Sequence, residues 1–252
     1  MPPRAIAGPA LLCSVDIIAK NDDNGHMQTY PGGKGGGGVY QKIINLIPPH
    51  QTYIETHLGG GAIMRYKKPA IKNIGIDIDS IVIQDWRKRN LSTKLIQSDA
   101  VEYLKKYKFK GDELVYSDPP YLLESRRSRR IYRHEYTKKQ HFELLKCLKS
   151  LPCKVMISGY WSKLYSDTLA NWSSFSFQAQ TQNGTAVEWV WFNYPQPTKL
   201  HDYRFLGDTF RERERIKRKK MRWVKKLESM PRLEHQALLD AMDTAFVHNR
   251  QL

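Results

Sequence analysis

Short β-forming runs alternate with helix-forming stretches between residues 39 and 193, and this alternation constrains the fold more than any other feature of the chain. Strands are expected at 52–55, 74–78, 95–97, 113–117, 154–158, 173–181 and 188–193, and helices at 39–47, 62–67, 81–90, 100–107, 137–151 and 161–170. Strand, helix, strand repeated in this way builds an α/β fold, a largely parallel sheet covered on both faces. The last two strands follow one another through Gln182-Asn183-Gly184. Asn-Gly is a strong hairpin signal, so the sheet should end in an antiparallel edge. From Lys199 the pattern changes to two helices parted by Pro231. Ile216, Trp223, Leu227 and Met230 lie on one stripe of the first, and Leu233, Ala237, Ala241 and Ala245 on one stripe of the second. A helical hairpin docked on the sheet by these stripes, basic side outward, is expected. The organisation is an accessory arm at 1–28, the sheet domain at 29–198 and a basic helical appendage at 199–252.

The 252 residues carry 41 Lys+Arg against 25 Asp+Glu, a formal net charge of +16, which points to a polyanionic partner. Residues 122–139 hold seven Lys/Arg and two Glu, and 211–226 hold ten and two, so +5 and +8 account for 13 of the +16. Two acids cannot neutralise ten bases. The pair of segments reads as a phosphate-contacting surface, because each neutralised phosphate releases counterions. With 40% hydrophobic and 11% aromatic residues the chain can close one core of ordinary size, which excludes global disorder. Cys13, Cys147 and Cys153 are odd in number and lack C-x-x-C spacing, so neither a disulfide framework nor a structural zinc site is expected. No run is long enough to span a bilayer, and the apolar stretch at 5–15 is short and broken by Gly8 and Pro9. A cytoplasmic protein without a membrane or metal partner is expected, acting as a monomer.

Two motifs carry chemistry. Glu55-Thr56-His57-Leu58-Gly59-Gly60-Gly61 places a glycine loop between a strand and its helix, where the backbone can approach a ligand closely and the helix start adds N–H groups. Asp77 ends the next strand about 20 residues later, the position from which a carboxylate reaches ribose hydroxyls, while one of Asp77 and Asp79 caps the following helix. Leu114-Val115-Tyr116-Ser117 then ends in Asp118-Pro119-Pro120-Tyr121. Two consecutive prolines cannot continue a central ladder, so the chain leaves the sheet at the carboxyl ends of the strands, where open α/β sheets bind ligands. Asp118 can accept a hydrogen bond from an amino group, Pro119 offers a carbonyl, and Tyr121 supplies a flat face for a base. These groups suit the capture of an aromatic amine.

In the order of these motifs the sequence resembles the Dam-type N6-adenine DNA methyltransferases, particularly their compact phage and prophage members. Pro31-Gly32-Gly33-Lys34 resembles the family's N-terminal cofactor motif, 55–62 its glycine motif, Asp77 its ribose-binding acid, Asp99 its third motif, 118–121 its catalytic motif and 155–160 its fifth-strand segment. The resemblance implies a Rossmann-like methyltransferase sheet and S-adenosylmethionine as cofactor. It implies Lys34, Glu55, His57 and the Gly59, Gly60 and Gly61 backbone near the cofactor, Asp77 on its ribose and Asp99 near its adenine. A target adenine would be flipped out of DNA, with Asp118 and the Pro119 carbonyl accepting from its amine and Tyr121 stacking on its ring.

This sequence reads Glu55-Thr56-His57 where the family has Glu-Pro-Phe, and Asp99 and Asp118 stand only 19 positions apart (118 − 99). No recognition domain fits between them. Recognition is therefore assigned to Arg126, Arg127, Arg129, Arg130 and Arg133 for base contacts, and to Lys217, Arg218, Lys219 and Lys220 for the phosphate backbone. An RNA adenine methyltransferase and a nucleic-acid-binding relative without catalysis are the competing readings.

Overall fold

A computed structural model describes residues 33–89, 91–126, 132–181 and 184–248. The arm at 1–28, Pro31 and Gly32 of the first motif, Arg127, Arg129 and Arg130, and Gln182 and Asn183 of the hairpin signal lie outside the described residues. Seven strands form one sheet in the order β3-β2-β1-β4-β5-β7-β6. β1 (Thr52–Thr56), β2 (Lys72–Asp77), β3 (Lys94–Gln97), β4 (Glu113–Ser117) and β5 (Lys154–Gly159) are parallel to one another. β7 (Gly184–Phe192) runs antiparallel between β5 and β6 (Ser173–Thr181), the edge expected from Asn-Gly.

Every residue of β1 and β4 is buried, as central parallel strands covered on both faces require. Successive side chains enter opposite layers. Tyr53 and Tyr116 pack with Ile43, Ile63 and Trp86 of α1 (Val39–Ile44), α2 (Ala62–Tyr66) and α3 (Ser80–Arg87). Ile54 and Val115 pack with Leu104, Leu144 and Tyr165 of α4 (Ala100–Lys106), α5 (Lys138–Ser150) and α6 (Lys163–Thr168). The helix starts follow local capping rules: the Asp79 side chain accepts from the Ile81 N–H, and Thr137 and Gln140 form a capping box. α1 ends three residues earlier than the spacing predicts. Leu46 and Ile47 N–H groups reach back to Ile43 and Ile44 carbonyls, both at 3.0 Å, a tightened last turn ahead of Pro48-Pro49.

The strand order reverses between β1 and β4, and Thr56 lies opposite Ser117 in register. The glycine loop and the Asp-Pro-Pro-Tyr turn therefore leave the sheet side by side at its topological switch point, where such sheets bind ligands.

The C-terminal helices depart from expectation. α7 (Phe210–Glu228) and α8 (Arg232–His248) form on either side of Pro231, but no residue of α7 is buried, Trp223 is 51% exposed and Leu233 83%. The stripes do not dock on the sheet. The one on α7 is narrow and flanked by the basic side chains, so burying it would strip water from ten bases that two glutamates cannot neutralise. The connecting strap is tied down instead. The Asp202 carboxylate accepts from the Lys68 N–H at 2.8 Å, and His201 N–H reaches the Ile47 carbonyl at 2.9 Å.

Gly61 has a φ of +55°, and a Cβ on it would lie 2.0 Å from the Trp86 ring. Gly61→Ala is expected to cost about 2 to 4 kcal/mol by strain and overpacking, whereas Gly35→Ala, with nothing within 4 Å, should leave thermal unfolding nearly unchanged. Equal melting temperatures for the two variants would contradict the fit of the Trp86 ring against this loop.

Candidate active site

The glycine loop is held from below by Asp77. Its two carboxylate oxygens accept from the Gly59 N–H at 2.8 Å and the Asp79 N–H at 2.9 Å, while Trp86 donates its indole N–H to the Gly59 carbonyl at 2.8 Å. The loop is thereby shaped by the end of β2 and the face of α3. His57, with a φ of +57°, is a non-glycine residue in left-handed backbone, a strained conformation that its surroundings must enforce. They do so at both ring nitrogens: Nδ1 lies 3.1 Å from Thr56 Oγ1 and Nε2 lies 2.9 Å from the Tyr136 hydroxyl. Burial pulls the imidazole down to about 4, so the ring is neutral at physiological pH.

Asp118 emerges from β4 beside this loop. Lys34 Nζ lies 2.8 Å from Asp118 Oδ1 and 3.4 Å from Glu188 Oε1, with its side chain only 7% exposed. Burial alone would drive the ammonium down, but Asp118 first and Glu188 second hold it above its ordinary value. The Tyr121 hydroxyl accepts from Lys34 and bonds to Glu188, and the Tyr121 ring meets Tyr160 edge-on at 4.7 Å. Pro119 is buried directly after Asp118.

Lys34, Glu55, His57, the Gly59, Gly60 and Gly61 backbone and Asp118 line one cleft, which Tyr132 helps to enclose. The sequence placed all of these except Tyr132 in a common site. Asp77 lies beneath the loop, and Asp99 caps α4, accepting from the Glu102 N–H at 2.9 Å. The cleft encloses about 30 Å³, room for one water, whereas a nucleoside-sized ligand needs about 300 Å³ or more.

Of the described basic residues, Arg126 is placed differently from expectation. It forms a two-pronged ion pair with Glu135, at 3.2 and 2.6 Å, with its side chain 4% exposed. A guanidinium paired with a carboxylate and buried in this way is not presented to a phosphate. Arg133 pairs with Asp79 at 2.9 Å yet stays 55% exposed, Arg127, Arg129 and Arg130 lie outside the described residues, and Lys217, Arg218, Lys219 and Lys220 are all exposed along α7. Sequence reasoning missed Glu188, Tyr132 and Tyr136. Glu188 alone left a signal, as one acid in the apolar run Val187-Glu188-Trp189-Val190.

Residues 61–183 match the model of the D12 class N6 adenine-specific DNA methyltransferases. Over that span the chain is similar to this family. The methyl donor of this methyltransferase is S-adenosylmethionine. No curated protein matches the chain in sequence. Among solved structures it is similar to a precorrin 8w decarboxylase from Methanobacterium thermoautotrophicum, with 12% identity, 66% of this chain and 93% of that one covered and a TM-score of 0.44. It is also similar to a dimethyladenosine transferase from Plasmodium falciparum, with 18% identity, 62% and 60% covered and a TM-score of 0.41. A third is TrmK from M. capricolum in complex with S-adenosyl-homocysteine, with 10% identity, 83% and 95% covered and a TM-score of 0.43.

Glu55, accepting from the Tyr53 hydroxyl at 2.9 Å, is raised from 4.5 to about 8 by burial. The folded chain keeps a proton there that the unfolded chain releases, so this stabilisation is full below about pH 4.5 and is lost as pH rises through about 8. Nearby Lys67, lowered to about 7 by burial, works in the opposite sense only above that value. Unfolding free energies measured from about pH 5 to 7 should therefore fall less, or rise more, with pH in Glu55→Gln than in the parent. Parallel curves would contradict a neutral buried carboxyl.

Proposed function

We propose that the chain transfers a methyl group from S-adenosylmethionine to the exocyclic N6 amine of an adenine flipped out of duplex DNA. The observation that carries this reading is the juxtaposition of Asp118, ion-paired to a buried Lys34, with a glycine loop at the sheet's switch point. The residues fit the cofactor. The Gly59, Gly60 and Gly61 backbone lines the cleft beside Lys34 and Glu55, and Asp77 at the end of β2 pins the loop from the side where a ribose would lie. When bound, the cofactor supplies an electrophilic methyl carbon on a sulfonium.

The chain's own residues do the rest. The Asp118 carboxylate and the Pro119 carbonyl accept hydrogen bonds from the adenine amine, which draws the nitrogen lone pair out of conjugation with the ring. Lys34 pairs with Asp118 at 2.8 Å and holds its carboxylate in place, and Tyr121 bears on the face of the base. Catalysis is by positioning and electrostatics, without a covalent intermediate. His57, neutral and tied to Tyr136, takes the place on the cofactor where an aromatic side chain would pack. Exposed Lys217, Arg218, Lys219 and Lys220 on α7 grip the phosphate backbone, and Arg133, half exposed beside Asp79, is the described arginine of 122–139 open to a nucleic acid.

Incubating the protein with S-adenosylmethionine and either duplex DNA or structured RNA, then digesting the polymer for mass spectrometry, tests this reading. N6-methyladenine in the DNA is expected, and transfer to RNA alone would overturn the choice of polymer. Replacing Lys217, Arg218, Lys219 and Lys220 by Gln should weaken binding to all DNA sequences alike and flatten the slope of log affinity against log salt by about 3 to 4. An unchanged slope would remove α7 from the interface.

A further inference from the structure

The cluster around Asp118 holds one ionisable group more than the proposed transfer needs. Glu188 lies on β7, a strand that contributes none of the sequence motifs, and its side chain is 6% exposed. A carboxylate so deeply buried costs stability unless its partners compensate it. Its partners are Lys34 at 3.4 Å and the Tyr121 hydroxyl.

Those same two residues are the ones that substrate must disturb. Lys34 occupies Asp118 Oδ1 at 2.8 Å and sits 4.6 Å from the centre of the Tyr121 ring. An incoming amino group needs Asp118, and an incoming base needs the ring. A buried ammonium cannot simply be set free, because it requires a counter-charge at every position it takes. Glu188 is already within reach.

We propose that Glu188 is a positioning residue that receives the Lys34 ammonium when the amine takes Asp118, while its bond to the Tyr121 hydroxyl holds that ring in place. The proposal rests on the adenine-amine reading of the site. Lys34 passes from one carboxylate to the other over a short path, so its charge stays compensated, and Asp118 keeps its negative charge for the amine.

The exchange depends on ionisation of Glu188. The groups that face it are Lys34 from the loop before α1, Asp118 and Tyr121 after β4, Tyr116 on β4 and Tyr160 after β5. Burial raises the Glu188 carboxyl above its ordinary 4.5, Lys34 opposes this and Asp118 adds to it. As pH falls, Glu188 therefore takes up a proton earlier than an exposed glutamate would. Once neutral it no longer attracts the ammonium, which returns to Asp118, and turnover slows.

Glu188→Gln copies that protonated form at every pH. Its kcat should drop about tenfold or more, with KM for S-adenosylmethionine within about threefold and without the low-pH fall in rate that the parent shows. Glu188→Asp keeps the charge and should recover part of the rate together with the pH dependence. A purely structural role would instead lower melting temperature and cofactor affinity in both variants. Carbon-13 NMR of glutamate carboxyls, without cofactor or DNA, supplies a readout independent of turnover. Glu188 should titrate above 4.5 in the parent and higher still in Lys34→Met. A Glu188→Gln variant with parental kcat and pH profile, or a Glu188 that titrates as an exposed glutamate, overturns the exchange. A parent protein that methylates no adenine overturns the reading of the reaction instead, and the titration then decides the exchange by itself.

Discussion

One ammonium buried between two carboxylates and a phenol organises the end of the sheet where the site lies. Lys34 comes from a loop ahead of α1, Asp118 and Tyr121 from the turn after β4, and Glu188 from β7. No two of these elements are neighbours in sequence. A charge removed from water is tolerated only with its counter-charge in place, so the requirement to compensate Lys34 fixes the loop against the sheet. The pair between Lys34 and Asp118 thus joins the loop ahead of α1 to the turn after β4.

The sheet makes this meeting possible. Parallel strands send all their carboxyl ends to one edge, and the reversal of order between β1 and β4 opens the crevice there. The strain at His57 and the positive φ values at Gly59 and Gly61 occur together in the loop that lines this crevice. They are held by Trp86, Asp77 and Tyr136, three residues from three different elements. The cleft's shape is therefore a property of the whole layer rather than of the glycine motif alone.

Much of this was legible in the sequence, for a physical reason. β4 and β6 fall where their β-forming runs predict, because central β4 carries the buried run Leu114-Val115-Tyr116, edge strand β6 alternates apolar with polar residues over Phe175 to Gln180, and turn signals bound both. The capping roles of Asp79 and Asp99 follow from residue type next to a helical pattern, yet only the capping by one of Asp77 and Asp79 was expected. What the sequence could not convey was pairing at a distance. Arg126 reads as one more base in a basic run until Glu135, nine residues on, folds back and neutralises it. Glu188 reads as a strand residue until Lys34 arrives from the far end of the domain. The apolar stripe of α7 reads as a packing face, although the surrounding charge keeps it in solvent.

The assignment of Asp118 as the acceptor that grips the adenine amine is tested most directly by the single-turnover rate of methyl transfer to duplex DNA in Asp118→Asn. The substitution keeps the shape of the side chain and removes the charge that Lys34 compensates. A rate about a thousandfold below that of the parent, with cofactor binding retained, is the expected result. Transfer at the parent's rate would contradict it.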